Sequence, residues 1–178
     1  MKIYTRGGDQ GETGLVGGGR IKKTAPQISA IGSLDELNAH LGVIRSFDVR
    51  ADLDQMLQGI QSRLFDVGSI VAEGPTGESN IELSEQDSVA LESLIDMLEQ
   101  DLVPLKKFIL PGGNPVAAQT HLARVVCRRA ERDVFIGAPT ANRKLPMVFK
   151  YLNRLSDFLF VLARTFNASH DTTESTWH

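Results

Sequence analysis

Apolar residues recur every three or four positions over most of this chain, and this spacing constrains its fold more than any other feature. Five segments show the pattern: about Ile28 to Phe47, Ala51 to Ala72, Ser84 to Leu102, Pro115 to Ile136 and Leu145 to Phe166. No strand-like alternation of useful length lies between them. Long amphipathic helices joined by short loops predict an all-α, five-helix bundle.

Local signals support these boundaries. Ser84 followed by Asp87 resembles a capping box, and Asn114 before Pro115 supplies an N-cap and a first-turn proline. The length of 178 residues predicts a single domain, 1–178. Within it we expect an extended N-terminal loop over 1–24, the helical bundle over 25–167, and a flexible tail rich in Ser and Thr over 168–178.

Composition and charge exclude several function classes. A formal net charge of −3 argues against a general nucleic-acid binder or a protein of anionic membrane surfaces. Neither a long apolar run nor a signal-peptide pattern is present, so we expect a soluble, cytoplasmic protein. The single cysteine, Cys127, lies in a helical pattern and is predicted to be a buried, inert thiol. The four histidines have no metal-ligand spacing, so no protein side chains are predicted to form a metal site.

The first fifteen residues are rich in glycine, which an ordered segment rarely is without an external reason. The glycines free the backbone to approach a ligand, so that successive N–H groups can point at phosphate oxygens; they are Gly7, Gly8, Gly11 and Gly14. Thr5 and Thr13 add hydroxyl donors, and Asp9 could hold the loop amides or lie beside a hydrated cation. The segment is neither a Walker loop nor a dinucleotide fingerprint. A mobile chain end is the alternative.

A basic ridge occupies the fourth predicted helix. Arg124, Arg128 and Arg132 recur every four residues and therefore lie on one line, with Glu131 on the adjoining line. Three guanidinium groups on one ridge repel one another, and an anionic ligand such as phosphate would relieve them. A solvated basic face is the alternative.

Polar residues also follow the apolar face of the fifth helix: Asn153, Asp157 and Arg164. Such a line indicates either solvent or a polar site between helices, where the Asn153 amide could bind a base or a ribose. Phe108 precedes Ile-Leu-Pro-Gly-Gly, and its spacing alone suggests packing at a helix junction.

Three separated blocks of this sequence resemble the PduO-type ATP:cob(I)alamin adenosyltransferases. They run over 3–15 and on to 33–38, over 108–113 with 123–132, and over 151–157 with 160–164. Their order and spacing match the family along nearly the whole chain. Arg6 and Gly7 depart from it, because the usual loop has lysine and threonine there.

The resemblance implies a trimer with each active site between two subunits. It implies that the N-terminal loop wraps the triphosphate of ATP, with Mg²⁺ held mainly by ATP; the loop residues are Thr5, Arg6, Gly7, Gly8, Asp9, Thr13, Gly14 and Lys23. The helices would complete the ATP site through Arg128, Arg129, Glu131, Arg132 and Asn153. Asp35 would pair with Arg124 between subunits.

The activity implied by the resemblance is adenosyl transfer, in which cob(I)alamin attacks the 5′ carbon of ATP and expels triphosphate. The catalytic residues would then be Arg128, beside the leaving group, and Phe108, on the corrinoid side, where it excludes the lower axial ligand. A cobalamin reductase and an adenosylcobalamin-dependent enzyme are possible partners. Two alternatives remain: a nucleoside-triphosphate hydrolase or kinase, which would release ADP or phosphate, and a non-enzymatic helical interaction module, which would not bind ATP.

Overall fold

A computed structural model describes residues 2–4, 6–73 and 79–178. Its helices are α1 (Pro26–Arg45), α2 (Ala51–Val71), α3 (Glu85–Glu99), α4 (Pro115–Gly137) and α5 (Leu145–Ser169). The five predicted helices are thereby confirmed, with ends shifted by a few residues. None of the helices in the described ranges is both long and apolar enough to cross a membrane.

Helix α4 lies between α1 and α5, while α2 packs on α1 and α3 packs on α5. The predicted apolar stripes face the centre of this arrangement. On α1, Leu37 and Leu41 are fully buried, and on α5 the same is true of Leu155, Phe158 and Leu159. Burial of this stripe is the main stabilising contribution to such a bundle.

Both predicted helix starts are present. The backbone N–H of Ser84 donates to Asp87 Oδ2 over 2.7 Å as one half of the capping box. The Asn114 side chain accepts from the N–H of Ala117 at 3.0 Å. These caps fix the entry points of α3 and α4.

The N-terminal segment contains a small antiparallel hairpin, which the all-α prediction did not include. Strands β1 (Glu12–Gly14) and β2 (Arg20–Lys22) pair with Thr13 opposite Ile21. Three residues are too few to produce a readable alternation, and the connecting glycines, all at positive φ, allow the turn between them. The hairpin joins the bundle where the N–H of Val16 donates to the carbonyl of Ala72 at 2.9 Å.

The C-terminal segment, expected to be a flexible tail, forms main-chain hydrogen bonds with another part of the chain. After α5 the chain returns to the 103–113 segment, where Leu110 N–H donates to Ser175 O at 2.8 Å and Trp177 N–H donates to Phe108 O at 2.8 Å. Ile109 and Thr176 form the antiparallel bridge between these bonds. Main-chain pairing of this kind uses no particular side chains, which is why composition did not reveal it.

Candidate functional site

The N-terminal loop brings basic side chains to a turn of glycines. Residues 2–23 carry five lysine or arginine residues against two acidic ones. A Cβ atom on Gly8 would lie only 3.0 Å from Lys23 Nζ, so the ammonium group approaches the backbone directly. Arg20 donates to the carbonyl of Gly7 at 2.5 Å and fixes the turn to the hairpin. A glycine backbone with an ammonium group beside it is suited to an anionic ligand.

Arg6 takes a positive φ of 59°. Its guanidinium and the Lys2 ammonium are both 5.6 Å from the centre of the Tyr4 ring. Thr5 lies outside the described residues, so its predicted contact with triphosphate stays a prediction. Thr13 and Gly14 belong to β1, beside the turn.

A buried polar network that the sequence analysis missed anchors this hairpin. Glu73 is 1% exposed and lies in a parallel bridge with Val16 of the hairpin. Its carboxylate accepts from Lys144 Nζ at 2.7 Å, from Asn142 Nδ2 at 3.1 Å and from the hydroxyl of Ser79. Burial opposes ionisation of Glu73, but these donors outweigh it and hold its pKa below the ordinary value.

Two hydrogen bonds from the Gln27 side-chain amide also hold the chain at the end of α2. Its side chain is buried and donates to the carbonyls of Val71 at 2.7 Å and Glu73 at 3.0 Å. No sequence signal singled out Gln27 or Glu73, because an isolated polar residue in a helical pattern does not reveal its partners.

The basic ridge of α4 is present as predicted. Arg128 and Arg132 are exposed, and neither guanidinium pairs with a carboxylate among the described residues, while Arg132 Nη1 donates to the carbonyl of Arg128 at 2.9 Å. Arg124 is partly buried, and its guanidinium carbon is 5.9 Å from the centre of the Phe160 ring. Burial, together with the charge of Arg128, lowers the pKa of Arg124.

The remaining predicted polar residues divide between two sides of α4. Glu131 and Asn153 lie together between α4 and α5, with Asn153 Nδ2 3.5 Å from Glu131 Oε1. Arg129 points toward α1, where it forms an ion pair with Glu36. Asp35 is exposed on α1. Its pairing with Arg124 across subunits stays a prediction, as do the roles of Arg129 and Glu131 toward ATP.

Cys127 and Asp157 do not contribute to an anion site, because the first is buried and the second is paired with a neighbouring arginine. Cys127 is fully buried and its Sγ donates to the carbonyl of Leu152 at 3.3 Å. Burial raises the pKa of this thiol strongly, which agrees with the predicted inert role. Asp157 forms an ion pair with Arg154 on its own helix.

Phe108 is 79% exposed in the extended segment before α4. The segment ends in a tight turn in which Gly113 has a φ of 108°, and a Cβ there would lie 2.0 Å from Asn167 Oδ1. Asn167 Nδ2 donates to the carbonyl of Gly112 at 3.1 Å, and its Oδ1 accepts from the N–H of Asn114 at 3.1 Å. An exposed aromatic side chain on a firmly held backbone is available to a large apolar ligand.

The hairpin and the ridge are carried by different elements. The hairpin contacts the end of α2, whereas the ridge and Asn153 lie along α4 and α5. Each offers cations to an anionic ligand, and each is open at the surface.

Known proteins resemble this chain in sequence and in fold. The cobalamin adenosyltransferase family model matches residues 3–166. The chain is 43% identical to the cobalamin adenosyltransferase of Cupriavidus metallidurans, over 99% of this chain and 94% of that protein. It is 41% identical to a corrinoid adenosyltransferase of Bacillus subtilis, over 94% of this chain and 88% of that protein.

The solved structures agree with the sequence relatives. A variant PduO-type ATP:corrinoid adenosyltransferase from Lactobacillus reuteri, complexed with cobalamin and ATP, superimposes with a TM-score of 0.90. It is 34% identical, and the match covers 99% of both chains. The glycine loop, the arginine ridge and the exposed Phe108 thus lie in a fold shared over its whole length, and this chain belongs to the cobalamin adenosyltransferase family.

Proposed function

We propose that this protein transfers the 5′-deoxyadenosyl group of ATP to the cobalt of cob(I)alamin, giving adenosylcobalamin and triphosphate. Family membership and relatives complexed with cobalamin and ATP support the reaction. The observation in this chain that carries it is the pair of exposed guanidinium groups, Arg128 and Arg132, without carboxylate partners among the described residues.

The tasks of the polypeptide follow from the charge that develops during transfer. Negative charge gathers on the leaving triphosphate, and guanidinium forks and loop N–H groups are suited to stabilise it. We assign Arg128 to the triphosphate as a catalytic residue. Lys23 and the Gly7–Gly8 turn would enclose the rest of the triphosphate. Mg²⁺ held mainly by ATP would neutralise further charge. We assign Asn153 to the base or the ribose.

Phe108 serves the corrinoid side in this proposal. Its exposed ring would lie against the lower face of the corrinoid and keep water or another axial ligand away. A dry, apolar face suits the reduced cobalt because it removes a competing ligand. The backbone contacts of the 108–114 segment would hold the ring in place.

The two halves of the ATP site would meet between subunits of a homotrimer. At each interface one subunit's loop would meet the next subunit's α4. The exposed Asp35 and the partly buried Arg124 fit an ion pair across that interface. We place the reaction in the cytoplasm, with a reductase supplying Co(I) and an adenosylcobalamin-dependent enzyme receiving the product.

Incubation with ATP, Mg²⁺ and chemically reduced cobalamin tests the function. Adenosyl transfer gives a photolabile corrinoid with the spectrum of adenosylcobalamin and one intact triphosphate for each product. A hydrolase or kinase would instead release phosphate or ADP, and a non-enzymatic interaction module would not bind ATP. No corrinoid product from the folded protein would refute the proposal.

A further inference from the structure

The main chain of Phe108 is held by the C-terminal segment. The carbonyl of Phe108 accepts from Trp177 N–H, and Leu110 N–H donates to Ser175 O, both at 2.8 Å. Because Ile109 is bridged to Thr176 in antiparallel register, Phe108 lies directly opposite Trp177. Opposite residues of an antiparallel pair project to the same face, so a shift of one strand moves the other.

One buried guanidinium on α5 contacts the two chain segments that lead into this pair. Arg164 is 6% exposed, although it is an arginine. Its Nε donates to Glu174 Oε2 at 3.1 Å, and its Nη2 donates to the carbonyl of Val103 at 2.8 Å. Val103 lies five residues before Phe108, and Glu174 lies three residues before Trp177. Arg164 therefore bonds the segments that precede both strands to the same helix.

Among the described residues, Glu174 depends on Arg164 for the hydrogen bond to its carboxylate. On α4, His121 interacts electrostatically with both Glu174 and Arg124. His121 is 3% exposed, and burial together with the charge of Arg124 lowers its pKa, against the opposing effect of Glu174. Neither His121 nor Arg124 donates a hydrogen bond to Glu174 among the described residues. Among the described residues, the Glu174 carboxylate is thus hydrogen-bonded only by the Arg164 guanidinium, which also donates to the Val103 carbonyl.

A buried ion pair is weak evidence for stability, because apolar residues of similar size stabilise a core equally well. What the planar guanidinium supplies is direction, since it donates along two fixed lines at once. A lysine could reach Glu174 or the Val103 carbonyl, but its single ammonium group cannot reproduce both bonds in this geometry.

We propose that Arg164 is a positioning residue, which sets the place of the Phe108 ring by fixing Val103 and Glu174 to α5. The proposal rests on the corrinoid role proposed for Phe108. In this proposal Arg164 does not contact substrate, and its substitution does not change the N-terminal loop.

Trp177 is the only tryptophan in the chain, so its fluorescence reports the position of the C-terminal segment without any substrate. The test compares the wild type with Arg164→Lys, Arg164→Gln and Glu174→Gln. The matched control is Glu92→Gln, which removes an interhelical ion pair to Arg154 elsewhere on α5. For each variant, acrylamide quenching of Trp177, circular dichroism and the kinetics with ATP and reduced cobalamin are measured.

We expect Glu174→Gln and Arg164→Gln to increase quenching of Trp177 and to lower kcat by about 10- to 100-fold, because small misplacements near the reacting centre are costly. The KM for ATP should stay within about twofold, as expected when ground-state binding of ATP is not affected. Arg164→Lys should keep the quenching near that of the wild type while lowering kcat, and Glu92→Gln should match the wild type in both.

Wild-type kcat in Arg164→Lys and Glu174→Gln would overturn the proposal, as would a rise in the KM for ATP equal to the fall in kcat. If Arg164→Gln fails to fold by circular dichroism, the other two variants still decide. Absence of adenosyl transfer in the wild type would refute the proposed function. Unchanged Trp177 quenching in Glu174→Gln would refute the role of the Arg164–Glu174 pair in positioning the C-terminal segment.

Discussion

Lys144 Nζ lies 2.7 Å from Oε1 of the buried Glu73, and this ion pair joins the start of α5 to the chain that follows α2. The same carboxylate residue is bridged to Val16 of the N-terminal hairpin. The pair therefore lies where the 15–19 turn of the hairpin joins the bundle.

Removal of the Lys144 ammonium should destabilise the protein strongly. In Lys144→Ala, Glu73 loses its cation while remaining buried, and we expect the free energy of unfolding to fall by about 3–5 kcal/mol. Denaturation in urea measures the loss. Lys150→Ala removes an exposed ion pair to Glu85 and should cost no more than about 1 kcal/mol. Equal losses in the two variants would contradict this account of the buried pair.

The contribution of Glu73 should depend on pH. Its pKa is lower in the folded protein than its ordinary value of 4.5, so folding favours the ionised form. The stabilisation is fully present above the unfolded-state pKa and is lost as the pH falls through the lower folded-state pKa. The stability difference between the wild type and Glu73→Gln should therefore be constant from pH 7 to about 5 and shrink below. A stability difference that persists unchanged at pH 3 would argue against a lowered pKa of Glu73 in the folded protein.

Arg128 should matter through its forked geometry as well as its charge. Arg128→Ala should lower kcat for adenosyl transfer by about 10²–10³-fold, the usual effect of losing one donor to a developing anion. Arg128→Lys keeps the charge but not two parallel donors, so we expect a smaller loss. The control is Arg50→Ala, which removes an exposed arginine paired with Asp52. Steady-state kinetics with saturating reduced cobalamin measure the effect, and wild-type kcat in Arg128→Ala would refute the assignment.

Gly113 and Gly112 should differ sharply in tolerance to alanine. Gly113 has a φ of 108° and a Cβ there would meet the Asn167 side chain at 2.0 Å, whereas a Cβ on Gly112 has no neighbour within 4 Å. We expect Gly113→Ala to lower the free energy of unfolding by about 2–4 kcal/mol through backbone strain and a broken hydrogen-bond network. Gly112→Ala should be close to neutral. Similar thermal unfolding of both variants would count against the turn described above.

The N-terminal loop should become more protected when ATP binds. Amides over 6–13 should exchange quickly in the free protein and slowly with ATP and Mg²⁺, because bound phosphate would accept hydrogen bonds from the loop. Hydrogen exchange followed by mass spectrometry measures this, with α5 as an internal reference. Equal protection in both states would argue that the loop does not bind triphosphate.

Much of the site could be predicted because each of its parts has a local signal. The four-residue spacing of Arg124, Arg128 and Arg132 determines that they share one line of α4, and the structure contains that line. The resemblance to a family then linked this ridge with the glycine loop and Phe108, and the family itself is confirmed.

Other parts had no local signal. The hairpin strands are too short to show alternation, and the hydrogen bonds from Leu110 and Trp177 to the opposite strand involve only main-chain atoms. Glu73 and Lys144 are 71 residues apart, and Arg129 and Glu36 are 93 apart, so their pairing required the packing of the helices.

By itself the sequence determined the five helices, their apolar faces and the basic ridge, since helical periodicity and capping are properties of neighbouring residues. The tertiary structure decided which polar groups are buried together. It placed the Glu73 carboxylate against Lys144, and it joined Val103 and Glu174 through Arg164. The physical reason is that a buried charge requires its partners in space, and packing brings those partners from distant parts of the chain.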